Sequence, residues 1–286
     1  MPLVEKNINN WKIVDDTVVL NDDYLKKGLD KSNKWGKFKK ITGTRLTSIF
    51  GLSKYNSPFK TWMQMVNLFK DDMDPTLAHV GQIIEPLIKK YVENQTNTTY
   101  LTHDLNAIGW DAFQENEIFG GVPDGEPLID GKINYSNNSP MLEIKTTSID
   151  KISYRSVNGN LQMQKDSNGL PIVAKKGEKK KEWFENDLIK IPVEYKFQLG
   201  LYMYLRNVEK GIFAIGFLEP IDYLYPEKFN INEREIHLVE FSISDKAKFK
   251  KYIDYAAKWF DKYIKTGISP KMTEEDKKWL NSNKKI

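Results

Sequence analysis

The segment from Gly120 to Thr147 constrains the fold more than any other part of the chain. Its last residues, Met141 to Thr147, have the composition of a β-strand, and side chains along a strand alternate between the two faces of the sheet. Glu143 and Lys145 therefore point to the same face, while Ile144 between them points into the core. The pattern predicts an acid and an amine held side by side.

A second acid, Asp124, lies at a glycine-flanked bend ahead of this strand. Hard divalent cations prefer oxygen ligands. We therefore predict that Asp124, Glu143 and the carbonyl of Ile144 hold a metal ion, with Lys145 positioning an attacking water or steadying the developing charge. An E-x-K triplet on a strand is more often a solvated face, so this prediction depends on the rest of the chain.

A long amphipathic helix is predicted to begin at Asp74-Pro75. Its apolar positions recur at helical spacing and comprise Leu77, Val80, Ile84, Leu87, Ile88 and Tyr91. Glu85 lies at the edge of this face, where most glutamates reach to water. Placed beside Asp124 and Glu143, it would be the third carboxylate of a metal site. After this helix, residues 97–119 are predicted to form strands in hairpins.

Basic residues cluster in an N-terminal block that begins near residue 35. Lys37, Lys39 and Arg45 surround the start of a short helix that Thr42 or Thr44 could cap. Free backbone N–H groups at such a start favour anions. The block is either a phosphate-binding surface or a solvated basic face.

The segment 148–191 is polar and is predicted to be a β-hairpin-like insertion projecting from the core. It carries a basic run, Lys175 to Lys181, followed by Trp183 and Phe184. Basic residues beside aromatic ones suit nucleic acid, through Lys179 and Lys180 in particular, although a solvated charge run is the alternative.

The C-terminal third is predicted to alternate helices and strands. A helix begins at Pro192 with Val193 inward, and it places Gln198 and Tyr202 on one face because they are four residues apart. Strands at 212–218 and 237–243 follow, and Ser244 is predicted to cap a helix from Asp245 to about Lys265. This order predicts an α/β (α+β) fold with a central mixed β-sheet flanked by helices.

Charge and composition narrow the function further. The 43 lysines and arginines exceed the 39 acids only slightly, giving +4, so affinity for nucleic acid must come from local patches. The absence of cysteine excludes disulfides and thiolate sites and favours a cytoplasmic location. No apolar run is long enough to span a bilayer, and no nucleotide-binding loop or serine-hydrolase elbow is present.

Together these motifs resemble the PD-(D/E)XK nuclease superfamily, in the branch of the phage lambda exonuclease and YqaJ-type viral recombinases. The ordered pieces are a helical Glu85, P-D-G around Asp124, E-I-K from Glu143, and a helix bearing Gln198. The N-terminal block also resembles one found in that branch, and its matching residues are Ile41, Thr42, Gly43, Thr44, Leu46, Ile49, Gly51, Ser53, Tyr55, Ser57, Pro58 and Trp62. Gly81, Glu85 and Pro86 match the branch's G-x-x-x-E-P.

The resemblance implies a restriction-endonuclease-like core and a Mg²⁺-dependent DNA nuclease, with Mn²⁺ as a substitute. It implies that Glu85, Asp124 and Glu143 are the metal ligands, that Lys145 is the catalytic lysine, and that Gln198 supports the site. The predicted DNA-binding residues are Lys37, Lys39, Thr44, Arg45, Ser53, Tyr55, Tyr202, Lys179 and Lys180.

We expect one nuclease domain over 1–286, in which sequence blocks have distinct roles. These are an N-terminal helical block at 35–72, a catalytic core at 76–147 and 192–243, the insertion at 148–191, and C-terminal helices at 244–286. A phage or recombination-type exonuclease acting on DNA is the leading hypothesis. A restriction-type or structure-specific endonuclease and a non-catalytic DNA-binding protein are the alternatives, and a single-strand annealing partner and a homo-oligomer stay open. No membrane partner is expected.

Overall fold

The structure is a computed structural model that describes residues 9–33, 36–70, 74–135, 139–157, 160–243 and 245–283. The strands in chain order are β1 (Trp11–Val14), β2 (Thr17–Leu20), β3 (Thr99–Leu101), β4 (Glu126–Ile129), β5 (Lys132–Ile133), β6 (Met141–Ser148), β7 (Lys151–Ile152), β8 (Tyr154–Val157), β9 (Asn160–Met163), β10 (Val173–Lys175), β11 (Phe184–Glu185), β12 (Leu188–Ile189), β13 (Lys210–Leu218) and β14 (Ile236–Ser242). The helices are α1 (Asp22–Leu29), α2 (Gly43–Ile49), α3 (Pro58–Met65), α4 (Pro75–Thr96), α5 (Glu178–Lys181), α6 (Val193–Leu205), α7 (Pro220–Leu224), α8 (Lys246–Trp259) and α9 (Glu274–Asn283). Within the described ranges, every helix is too short or too polar to cross a membrane.

The chain divides into two compact units. The first unit comprises Met1–Asp72, Phe113–Gly121 and Asp245–Ile286, and the second unit comprises Met73–Ala112 and Val122–Ser244. The N-terminal block therefore lies in the first unit, while the four ordered pieces from Glu85 to Gln198 all lie in the second.

The second unit is built on a mixed sheet in the order β14-β13-β6. β13 pairs antiparallel with β14 and parallel with β6, and its nearly continuous apolar run is buried on both faces, as expected of a strand covered by helices on both sides. A Cβ atom on Gly211 would meet Leu199 and Met203 of α6, whereas one on Gly216 would meet Ile88 of α4. Because positions 211 and 216 face opposite sides of the strand, α6 and α4 cover opposite faces. The predicted mixed sheet between helices is confirmed.

The segment 148–191 forms short antiparallel pairs, β7 with β10, β8 with β9, and β11 with β12. The predicted hairpins are present, but the segment also packs into the core instead of only projecting from it. Ile152 and Met163 belong to the apolar cluster around α4, and Trp183 is 4% exposed. The buried side of the segment was hidden in the sequence by its polar average composition.

The first unit contains the β1–β2 hairpin, α1, α2, α3, α8 and α9. Ser57 caps α3 by accepting a hydrogen bond from the Lys60 amide, and Gly51, at φ 70°, follows the end of α2. The predicted helix from 245 to about 265 is α8 followed by a π-helical turn over Phe260–Ile264. Ser244 lies outside the described residues, and Asp245 caps α8 by accepting from the Lys248 amide at 2.8 Å.

Three sequence predictions about local structure are wrong. Leu87 is 40% exposed and Val193 is 42% exposed, because each lies just outside the arc of its helix that contacts the sheet. Residues 97–119 contain β3 and an isolated bridge from Phe119 to Ile41, but otherwise form turns, bends and irregular backbone, and Trp110 is 67% exposed. Aromatic composition alone indicated strands there, although the segment lacks strict alternation.

Asp74 ties α4 to the segment 148–191 and generates a stability prediction. Its Oδ1 accepts from the Thr76 amide at 2.7 Å, and its Oδ2 accepts from the Met163 amide at 2.6 Å. Asp74→Ala should therefore lower the free energy of unfolding by about 2–4 kcal/mol, the sum of a lost cap and a buried amide left without an acceptor.

Asp74→Asn is the matched control in urea denaturation, because it keeps an acceptor for Thr76 but removes the acceptor for Met163. We expect its loss to be intermediate. Equal stability of wild type and Asp74→Ala would contradict this role for Asp74.

Candidate active site

β6 places Glu143 and Lys145 on the same face of the sheet, as predicted from strand alternation. Lys145 Nζ lies 2.5 Å from Glu143 Oε1. Ile144, on the opposite face, packs in the apolar cluster around α4. Glu143 is completely buried, so its carboxylate has lost its contact with water and is paired with the Lys145 ammonium.

Asp124 is fixed to the same strand by backbone contacts. Gly125 and Leu142 exchange two backbone hydrogen bonds of 3.2 and 2.9 Å, which aligns the bend before β4 with β6. Asp124 Oδ2 then accepts a 2.7 Å hydrogen bond from the Ile144 amide. These contacts bring Asp124 beside Glu143 and Lys145. The Ile144 carbonyl, which was predicted as a further metal ligand, lies on the same residue whose amide binds Asp124.

Glu85 reaches this group of charges from α4. Burial raises the pKa of Glu85, the Asp124 carboxylate raises it further, and Lys145 lowers it. Gly81, one turn earlier, leaves room for the carboxylate, since a Cβ at that position would lie 3.0 Å from Glu85 Oε1. The structure therefore brings together Glu85, Asp124, Glu143 and Lys145, although α4 covers the opposite face of the sheet from α6.

These four side chains carry an excess of negative charge. Burial raises the pKa of Glu143, and the nearby carboxylates of Asp124 and Glu85 raise it further, despite Lys145. Burial also raises the pKa of Asp124. Burial alone would lower the pKa of Lys145, but Glu143 and Asp124 together raise it above its ordinary value. Three carboxylates thus share one ammonium, and the group favours either protons or an added cation.

Several buried oxygens of this group lack a hydrogen-bond donor. Glu143 Oε1 contacts the Lys145 ammonium at 2.5 Å, but Glu143 Oε2 and Gln198 Oε1 have no hydrogen-bond donor among the described residues. Such orphaned acceptors are costly unless a cation satisfies them, and carboxylate oxygens suit Mg²⁺ or Mn²⁺. Among the described residues, no three His, Asp or Glu side chains form a ready-made metal-binding group. The predicted ligands are neighbours, but their side chains are not arranged around a single metal position.

α6 forms the wall opposite these acids. Tyr202, predicted to bind DNA, is 4% exposed, and its pKa is raised by burial and then by the Glu143 and Asp124 carboxylates. Gln198 interacts with Tyr202 on the same face of α6, as their spacing predicts. Tyr202 therefore faces the buried acids instead of lying on the surface.

Two aromatic residues absent from the predicted set support Lys145. Lys145 Nζ lies 5.0 Å from the ring centroid of Tyr195 on α6, within the range of a cation–π contact. The Tyr195 ring stacks on Trp183 at 5.5 Å and 17°. The segment 148–191 thereby contributes to the wall of the site, and the spacing of Tyr195 three residues before Gln198 was the signal that could have found it.

Glu126 is a further buried acid, and the sequence motifs did not predict it. Arg206 at the end of α6 donates to both its oxygens at 2.7 and 2.9 Å, Tyr135 donates at 2.9 Å, and His103 Nε2 lies 2.7 Å from Oε2. Burial opposes ionisation of Glu126, but these partners hold its pKa below the usual value. Glu126 is satisfied, in contrast to Glu143, and it joins β4 to α6. An acid within the apolar sequence E-P-L-I was its only signal.

The basic residues of the N-terminal block lie around α2 in the first unit. Burial lowers the pKa of Lys39, and the positive charges of Arg45 and Lys70 lower it further. Arg45 also donates to the Lys40 carbonyl at 2.6 Å. Lys37 and Thr44 are exposed, Tyr55 is 72% exposed, and Ser53 Oγ accepts from the Tyr55 and Asn56 amides.

Lys179 and Lys180 in α5 already have acidic partners. Lys179 pairs with Glu182 at 2.6 Å. Lys180 pairs with Glu235 and lies over the rings of Phe184 and Phe217 at 5.6 and 5.5 Å. These contacts engage both lysines within the second unit.

No family model matches the chain. Two solved structures of the alkaline exonuclease LHK-Exo from Laribacter hongkongensis are similar only at TM-scores of 0.45 and 0.46, with 11% and 13% identity. The first match covers 85% of this chain and 92% of that one, and the second, a complex with dAMP, covers 78% and 87%.

Two curated relatives are similar along almost their whole length. The uncharacterized protein MG373 of Mycoplasma genitalium is 47% identical over 285 residues, covering 99% of both chains. Its homologue in Mycoplasma pneumoniae is 45% identical over 276 residues, covering 96% of both. The chain therefore belongs to the family of the uncharacterized protein MG373.

Proposed function

We propose that this protein is a metal-dependent DNA nuclease that hydrolyses phosphodiester bonds, most consistent with an exonuclease of the phage or recombination type. The observation that carries the proposal is the buried group of Glu85, Asp124 and Glu143, which among the described residues is compensated by Lys145 alone. A purely structural acid is expected to be paired, as Glu126 is. The sequence order of the same residues resembles the PD-(D/E)XK pattern.

The residues take distinct roles in this proposal. Glu85, Asp124 and Glu143, with the Ile144 carbonyl, would hold Mg²⁺ or Mn²⁺, which when bound supplies charge neutralisation and a more acidic water. Lys145 holds a fixed positive charge where negative charge develops on the phosphate. Tyr195 contacts that ammonium and is itself held by stacking on Trp183. Gln198 orients Tyr202, which lies beside the acids.

The N-terminal block is proposed to contact the DNA backbone. The positive charges of Arg45 and Lys70 repel the partly buried ammonium of Lys39, and an anion bound beside Lys39 would relieve that repulsion. Lys37, Thr44, Ser53 and Tyr55 are proposed to extend this phosphate contact. Lys179 and Lys180 support it least, because each is already paired with an acid.

Asp124→Asn and Glu143→Gln should each lower hydrolysis of linear duplex DNA by about a hundredfold or more, because each removes a negative charge that would hold the cation, and the cation would neutralise the charge that develops on the phosphate. The measurement is a time course with Mg²⁺ on end-labelled linear DNA and on closed circles. We expect the linear DNA to be degraded and the circles to stay intact.

Glu240→Gln is the matched control, since Glu240 is an exposed acid on β14 of the same sheet, and it should keep full activity. Cleavage of closed circles would instead identify an endonuclease. Equal inactivity of wild type and Asp124→Asn on all DNA substrates would contradict the proposal.

Cation binding should be visible without DNA. Mg²⁺ or Mn²⁺ should raise the melting temperature of the wild type, because a ligand at 100 times its Kd adds about 2.7 kcal/mol to stability. In Glu143→Gln the shift should largely disappear, while Glu240→Gln should keep it. An equal shift in all three proteins would place the cation elsewhere.

A further inference from the structure

α8 in the first unit carries two stripes of side chains at helical spacing. One stripe, with Ile253, Ala256 and the following Phe260, is buried. The other consists of Lys248, Lys251, Tyr252 and Tyr255, which follow the i, i+3, i+4, i+7 pattern of a single helix face and are all exposed. These four side chains therefore lie side by side on the face of α8 that is open to solvent.

The two tyrosines of this exposed stripe belong to an aromatic platform. Tyr252 is 37% exposed and Tyr255 is 54% exposed. Phe50, which caps the C-terminal end of α2, lies 5.6 Å from the Tyr252 ring and 5.5 Å from the Tyr255 ring. These contacts hold the rings in place while leaving ring surface open to solvent.

Lysines border the platform. α8 contains five lysines and one aspartate, Asp254, and that aspartate is paired with Lys250 at 2.7 Å. Lys248, Lys251 and Tyr252 line an open groove together with Ala247 and Asp245. Asp245 accepts a hydrogen bond from the Lys248 amide, and the two lysines outnumber this one acid, so the groove carries net positive charge beside a ring.

We propose that the platform of Phe50, Tyr252 and Tyr255, with Lys248 and Lys251, binds single-stranded nucleic acid. Bases stack on the tyrosine rings, and the two lysines contact neighbouring phosphates. Exposed aromatic rings beside a basic groove are the shared features of sequence-tolerant single-strand binding. Duplex bases offer no free face for stacking, and protein–protein interfaces are depleted in lysine, so charge complementarity favours a single strand.

This inference goes beyond the proposed function, because it concerns binding by residues that take no part in the proposed hydrolysis. The test is therefore made on the full chain with EDTA and without metal, where cleavage does not contribute. The probe is a fluorescent oligo(dT) of about 16 nucleotides, which is the upper site size of such surfaces, and binding is followed by anisotropy.

The double variant Tyr252→Ala, Tyr255→Ala should weaken oligo(dT) binding by at least about fivefold, because each stacked base contributes measurably. Its affinity for duplex DNA should be unchanged. The double variant Tyr252→Phe, Tyr255→Phe keeps the rings and should bind oligo(dT) as the wild type does. Lys248→Gln with Lys251→Gln should reduce the salt dependence of oligo(dT) binding by about 0.7 in log–log slope for each lysine.

Tyr225→Ala is the matched control, since Tyr225 is a 41% exposed tyrosine with Lys228 at 4.4 Å from its ring but lies in the second unit. It should leave oligo(dT) binding unchanged. Wild-type affinity in the double alanine variant, or an equal loss on duplex and single strand, overturns the inference. If the double alanine variant melts at a lower temperature than wild type, the test is made with Lys248→Gln, Lys251→Gln. An unchanged salt slope of oligo(dT) binding in that lysine variant then overturns the inference.

Discussion

The buried excess of carboxylate charge on one face of β6 is the constraint on which the proposed chemistry depends. Glu143 lies completely inside the protein, beside Asp124 and Glu85, with one ammonium to compensate all three. Burying acids in this way is unfavourable unless protons or a cation join them. Nearby Glu126 shows the opposite solution, because Arg206, Tyr135 and His103 satisfy both its oxygens. Partners within the protein therefore neutralise Glu126, whereas the group of Glu85, Asp124 and Glu143 keeps an excess of negative charge.

Local rules were sufficient to predict much of the second unit's fold. Strand alternation placed Glu143 and Lys145 together and Ile144 in the core, and Asp74-Pro75 marked the start of α4. These two predictions depend on strand geometry and on helix capping, which are set by residues close together in the sequence. The exposed positions Leu87 and Val193 were mispredicted because helical periodicity defines a stripe but not how much of its edge the sheet covers.

Features that depend on long-range contacts could not be predicted from the sequence. The partnership of Glu126 with Arg206 spans 80 positions, and nothing local indicates it. Likewise, Trp183 contacts Tyr195, which in turn contacts Lys145, only because the segment 148–191 folds back against α6. Its polar composition suggested a projecting surface, since average polarity does not reveal which few side chains are buried.

The most direct test of the central claim is the anomalous diffraction signal from crystals of the protein grown with Mn²⁺. The account predicts a peak bounded by the carboxylates of Glu85, Asp124 and Glu143, with the Lys145 ammonium alongside, and predicts that this peak is absent from crystals of Glu143→Gln. A wild-type crystal with Mn²⁺ bound only elsewhere, or with Glu85 turned away from the other two acids, would contradict it.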